Sequence, residues 1–354
     1  MGSWANEVPM KLLVTGGAGF IGTNFVQHVL AAHAGDEVVT LDLLTYAGNL
    51  ANLETVLEHP RHRFVRGDIA DPEAVAGAIG DGVDAIVNFA AESHVDRSIT
   101  DAGAFLATNV VGTQVLLDAA RAYGVGRFLQ VSTDEVYGSL GATGAFSEET
   151  PIQPNSPYAA SKAGADLLVR AAHHTHGLPA LITRCSNNYG PYQFPEKLIP
   201  LFVTNALADQ ALPLYGDGRQ VRDWIHVADH CRGVDLVLRQ GRVGEVYNLG
   251  GGNERQNVEI AELILNALGK PRSLVRHVTD RLGHDRRYAI DAGKIQRELG
   301  WVPEREFTSG LRDTIEWYRT HRSWWEAVKS GAYLDYYERT YGQRLRGAGQ
   351  EDRT

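Results

Sequence analysis

The chain has 354 residues, 44% of them hydrophobic and 22% charged, with a formal net charge of −9. That length supports one large α/β domain or a two-part unit whose core needs no disulfide or metal staple. The acidic balance excludes a general nucleic-acid binder, which needs a basic face.

Only Cys185 and Cys231 carry thiols, without metal-ligand or redox spacing, which fits a reducing cytoplasm. No apolar run reaches the about 18 residues that would suggest a membrane span. Met1 to Pro9 lacks the layout of a signal peptide, and residues 1–10 are expected to form a disordered leader.

Strands are predicted at Lys11–Thr15, Glu37–Asp42, Arg63–Asp68, Ala85–Phe89, Arg127–Thr133 and Ala180–Cys185, all short β-branched runs. Amphipathic stretches at Phe20–Ala34, Pro72–Ile79, Phe105–Tyr123 and Pro157–His176 alternate with them. That alternation implies a Rossmann-type, doubly wound parallel sheet over residues 11–185. A loop is expected at Ser186–Pro191, opening a smaller C-terminal α/β substrate lobe over 186–341. Within the lobe lie a helix near Lys197–Asp209, a strand Leu212–Tyr215 and helices near Val258–Leu268, Asp291–Leu299 and Thr308–Thr320. The helix Val227–Arg239 and strand Glu245–Leu249 (together 227–250) are expected to return to the first domain. Residues 342–354 read as a frayed tail.

Gly16, Gly19 and Gly22 sit between the first strand and the first helix. There glycines permit a tight turn and let the backbone approach a pyrophosphate seated on the helix N-terminus. Asp42 ends the second strand, where a carboxylate accepts hydrogen bonds from a ribose and repels a 2′-phosphate. With no Arg or Lys at 43–49, NAD is expected rather than NADP. Tyr158 and Lys162 lie one helical turn apart, and a neighbouring ammonium favours the phenolate. The pair suits proton removal from a hydroxyl as hydride leaves.

The glycine loop and Tyr158-x-x-x-Lys162 together resemble the extended short-chain dehydrogenase/reductase superfamily, which acts on nucleotide sugars. The resemblance runs from Lys11 to about Tyr341. It implies that Thr133, at the end of the fifth strand, hydrogen-bonds the reacting oxygen. Behind it stand Asp134 and Glu135, the adjacent acid and base that elimination of water requires. Epimerases of the superfamily usually carry small or apolar residues there. A non-catalytic NAD-binding regulator would lack one of the two pairs.

The closer resemblance is to the dTDP-glucose 4,6-dehydratase family. It is carried by Ala90–Ser98, Thr133–Gly138, Ser186–Tyr192, Pro195–Pro200 and Gly283–Tyr288. A 4,6-dehydratase or epimerase acting on another nucleotide sugar is the alternative. The resemblance implies internal hydride transfer through retained NAD, with Tyr158 and Lys162 at O4, Glu135 as base at C5 and Asp134 as acid to the C6 hydroxyl. It places Gly16, Gly19, Phe20, Ile21, Gly22, Asp42, Leu43, Leu44, Thr45, Asp68, Ile69, Ala90, Ala91, Ser93, Thr108, Tyr158, Lys162 and Asn188 on the cofactor. Around the sugar nucleotide it places His94, Thr133, Asp134, Glu135, Asn187, Lys197, Leu198, Pro213, Tyr215, Arg222, Asn257, His284, Arg287 and Tyr288. Lys197, Arg222, Arg286 and Arg287 would supply local cations for the diphosphate. No metal site is expected. Leu282 and Gly138–Glu149 depart from the family pattern. Helices Phe105–Tyr123 and Pro157–His176 resemble those that pair as a four-helix bundle in family homodimers.

Overall fold

In the computed structural model, which describes residues 8–280, 283–342 and 344–345, the run after Met10 becomes β1 (Lys11–Thr15). It lies inside a seven-stranded sheet, flanked on one side by β2 (Glu37–Asp42) and β3 (His62–Arg66). On its other side come β4 (Ala85–Asn88), β5 (Arg127–Thr133) and β6 (Ala180–Cys185). Further along the chain are β7 (Asn187–Tyr189), β8 (Leu212–Tyr215), β9 (Val221–His226) and β10 (Val246–Leu249). Of these, β10 joins the main sheet beside β6, and every pairing in that sheet is parallel. The strand order reverses between β1 and β4, and such a switch point opens a ligand crevice at the carboxyl ends of the strands.

Helices cover both faces of the sheet, which is why β4 and β6 are buried along their whole length. One face is packed by α1 (Phe20–Ala32) through Phe25, Val26 and Val29. The other receives Val75 and Ile79 of α2 (Pro72–Ile79). After α3 (Val95–Thr100) and α4 (Ala102–Phe105) the chain widens to i→i+5 spacing over Leu106–Gly112, then resumes as α5 (Thr113–Ala122). The widened turns carry Asn109, which exchanges hydrogen bonds with the backbone of Glu92 and donates to Ser161 Oγ at 2.8 Å. The single helix expected at Phe105–Tyr123 is therefore interrupted, and such widenings cluster at functional sites.

The long α6 (Pro157–His176) has sharp ends for local reasons. Ser156 accepts the Ala159 N–H, Pro157 opens the first turn, and Gly177 closes it in the left-handed region. Its neighbours in sequence are α7 (Leu198–Leu207), α8 (Val227–Gln240), which packs on α1, and α9 (Asn257–Leu268). They are followed by α10 (Gly293–Leu299), α11 (Phe307–Thr320), α12 (Arg322–Val328) and α13 (Ala332–Tyr337). A second core joins Phe202 of α7, Ile260 and Ile264 of α9, Phe307 and Leu311 of α11, and Trp325. It forms a smaller lobe beside the sheet.

Short strands of this lobe went unpredicted. β9 pairs with β7 in parallel and with β11 (Glu254–Gln256) in antiparallel, while β12 (Val275–Val278) pairs with β8. β7 occupies the stretch read as a loop, because its asparagines gave no strand pattern. Residues 1–7 of the expected leader, most of the expected tail and Leu282 fall outside the described residues. Met10 is tied down, donating to Asp36 Oδ1 at 2.9 Å and accepting from Glu37 N at 2.9 Å.

Candidate active site

The glycine loop is shaped by contact. Gly16 sits at φ +67°, and a Cβ added there would stand 2.6 Å from Ala90 N. A Cβ on Gly22 would stand 2.2 Å from the Gly16 carbonyl oxygen. Any larger residue would fill the cradle. Gly19 begins α1 without a side-chain cap, leaving opening N–H groups of that helix for an anion. Asp42 accepts from Ala18 N at 2.9 Å and Leu44 N at 2.8 Å, one bond per carboxylate oxygen. Each oxygen keeps a second lone pair for a ribose hydroxyl. The cradle, the uncapped helix start and the carboxylate together fit a dinucleotide.

β5 delivers Thr133 into the tight helical turn Asp134–Tyr137. Thr133 Oγ1 accepts from Glu135 N at 3.2 Å and reaches Asp134 Oδ1 at 3.3 Å. Asp134 is 2% exposed and its Oδ2 has no hydrogen-bond partner. Burial first, then the carboxylates of Glu135 and Asp223, push the Asp134 carboxyl well above its usual range, against the pull of Arg222. Asp134 is thus held toward its protonated, acid form. Glu135 is half-buried at the same turn.

Tyr158 and Lys162 are both buried on α6. The expected lowering of the phenol by the lysine is absent here. Burial and the charge of Glu135 push Tyr158 up, while the Lys162 ammonium turns to the Val131 carbonyl at 2.8 Å. Burial also lowers Lys162.

These groups share one cavity of about 410 Å³, and it collects every residue assigned above except Leu44, Arg286 and Arg287. Leu44 adopts φ +58°, and its side chain packs against the core beneath α1. Arg287 pairs with Glu254 of β11 at 2.6 and 2.8 Å and donates to the Gly144 carbonyl at 2.9 Å. Arg286 likewise pairs with exposed Asp217 at 2.8 Å. Of the four expected cations, Lys197 and Arg222 line the cavity. Lys197 Nζ donates to Ser93 O at 2.6 Å. Arg222 donates to Asp285 O at 2.9 Å and lies 4.3 Å over the Tyr288 ring.

Ser132, Cys185, Glu196 and Tyr341 also line the cavity and were missed from sequence. Ser132 adjoins the Thr133–Gly138 motif and Glu196 lies inside the Pro195–Pro200 motif, a signal that was available. Nothing along the chain connects Tyr341 to this place.

The sheet, the glycine loop and the Thr133/Tyr158/Lys162 set define an extended short-chain dehydrogenase/reductase, and the adjacent carboxylates give it the equipment of a dehydratase. The profile of the family described as GDP-mannose 4,6 dehydratase matches residues 13–314. A dTDP-glucose 4,6-dehydratase of Streptomyces niveus is 55% identical, the match covering 91% of this chain and 96% of the relative. The solved dTDP-glucose 4,6-dehydratase of Streptomyces venezuelae, with NAD and a second ligand bound, superposes with a TM-score of 0.88 at 59% identity, covering 90% of this chain and 100% of that one. The UDP-glucose 4-epimerase of Thermus thermophilus, solved with NAD, reaches 0.82 at 32% identity, covering 88% and 100%. The chain belongs to the dTDP-glucose 4,6-dehydratase family.

Proposed function

We propose that the protein converts dTDP-glucose to dTDP-4-keto-6-deoxyglucose and water. The observation that carries this reading is the Asp134–Glu135 pair in the same cavity as Thr133, Tyr158 and Lys162. The fold alone is shared with a 4-epimerase, so it does not decide between the two activities.

Gly16, Gly19, Gly22 and Asp42 hold NAD, which supplies a hydride acceptor and then a hydride donor within one turnover. Tyr158 takes the proton from O4, with Thr133 Oγ1 hydrogen-bonding that oxygen. Lys162 sets a positive charge near the Tyr158 phenolate that accepts this proton. The 4-ketone acidifies C5, and Glu135 takes the C5 proton. Asp134, buried and protonated, gives its proton to the departing C6 hydroxyl, which leaves as water; the hydride taken from C4 would then be returned to C6 while Glu135 gives a proton back to C5. Lys197 and Arg222 balance the diphosphate charge.

Incubation with dTDP-glucose, UDP-glucose, GDP-mannose and CDP-glucose, followed by base-induced absorbance of the 4-keto product, tests the substrate. Turnover is expected with dTDP-glucose. Its failure alongside turnover of another sugar nucleotide would overturn the choice of base.

The protein is further read as a cytoplasmic homodimer. Both cysteines are free and buried, and no helix among the described residues is long and apolar enough to cross a membrane. Leu106 and Val111, on the α4–α5 stretch, and Leu167, on the adjacent α6, are 54%, 53% and 54% exposed. A second copy that paired these helices as a four-helix bundle would cover them, and since each is already about half buried, each would contribute about 1 kcal/mol. Leu167→Lys is expected to shift the protein toward monomer in sedimentation velocity. An unchanged dimer would place the interface elsewhere.

A further inference from the structure

The aromatic end of the cavity is closed by chain from the far C-terminus. After α13 the chain turns through Glu338–Gly342, and Tyr341, 4% exposed, lines the cavity there. Its ring centre lies 6.0 Å from that of Tyr215, tilted by 39°. Arg344, three residues on, donates to the Tyr215 hydroxyl at 2.8 Å, and that hydroxyl donates to Asp96 Oδ2 at 2.8 Å.

Two further attachments hold this stretch to the site. Tyr336 stands edge-on to His94 with ring centres 5.4 Å apart. The Arg97 guanidinium lies 4.0 Å over Tyr46 and 4.3 Å over Tyr336, and pairs with buried Glu196 at 3.2 Å. Tyr341 belongs to the second core, with Tyr215 and Tyr337 packed on it, and the same ring also lines the cavity.

The chemistry of the two ends differs. Asp134, Glu135 and the phenol–ammonium pair gather at the Thr133 end, which suits the reacting sugar. Pro213, Leu214, Tyr215 and Tyr341 make the other end apolar and aromatic, which suits a planar nucleobase, since bases stack on aromatic faces regardless of sequence.

We infer that Tyr341 is a substrate-positioning residue that completes the nucleobase end of the cavity, an inference that rests on the nucleotide-sugar reading above. The test compares Tyr341→Phe, which keeps the aromatic face, with Tyr341→Leu, which keeps an apolar side chain without it. Binding of dTDP to each purified protein is measured by calorimetry, with bound cofactor and thermal melting recorded in parallel. Tyr341→Leu is expected to weaken dTDP roughly tenfold to a hundredfold and to raise KM for dTDP-glucose similarly, with kcat and cofactor content little changed. Tyr341→Phe should stay close to the parent.

Equal dTDP affinity in the parent and Tyr341→Leu would overturn the inference and leave the proposed function intact. Failure of the parent itself to bind dTDP would overturn the proposed function, and the inference with it. If Tyr341→Leu does not fold, hydrogen exchange of the parent decides. Protection of the Glu338–Gly342 amides on adding dTDP supports the inference, and unchanged exchange there overturns it.

Discussion

Glu135→Gln is expected to lower formation of the 4-keto-6-deoxy product by about 10²- to 10⁴-fold, the range that a positioned acid or base contributes. Glutamine is nearly isosteric and keeps the backbone N–H of residue 135 bonded to Thr133 Oγ1, a contact that fixes the turn. What it removes is the lone-pair charge that accepts the C5 proton. Turnover in heavy water separates this role from a general loss of activity. The parent should deliver product carrying deuterium at C5. Glu135→Gln should return unreacted dTDP-glucose without deuterium there, because oxidation at C4 is reversible but C5 is never deprotonated. Native-rate dehydration by the variant would remove Glu135 from the base role.

The parallel sheet was legible because its inner strands, such as β4 and β6, are buried on both faces and read as apolar, largely β-branched runs. β9 was not, because Arg222 and Asp223 break any apolar alternation. Both are nevertheless buried, and the structure satisfies them with backbone: Asp223 accepts from Gly251 N and Asn253 N, and Arg222 donates to Asp285 O. A buried charge is tolerable only with such partners, and those partners lie far along the chain.

The site was legible where chemistry is local. Tyr158 with Lys162 and Asp134 with Glu135 are pairs within one turn. Cations were another matter, since Arg222, Arg286 and Arg287 look alike in sequence. Glu254 and Asp217 claim two of them, and only the fold brings those carboxylates within reach. The same holds for Tyr341. Leu44 stands outside the cavity lining for a backbone reason: at positive φ its side chain goes to the core.

Asp134→Asn should separate stability from activity in opposite directions. The carboxyl's folded-state pKa is raised from its ordinary 3.8, with burial the largest cause and the charges of Glu135 and Asp223 next. Stability contributed by a group of this kind is fully present below the ordinary value and is lost as pH rises through the folded value. Asparagine cannot ionise, so it escapes that loss while keeping an oxygen for Thr133. The variant is therefore expected to melt close to the parent at the acid end. Its advantage should grow to a few degrees as pH is raised. Dehydration should fall by about 10²- to 10⁴-fold, since no proton is available for the leaving hydroxyl. Glu135 remains intact, so dTDP-glucose recovered from heavy water should still acquire deuterium at C5. A melting advantage that shrank with rising pH, or recovered substrate free of deuterium, would show that Asp134 is not the buried acid. Its burial would then be structural, and the proton for the departing hydroxyl would have to come from another group in the cavity.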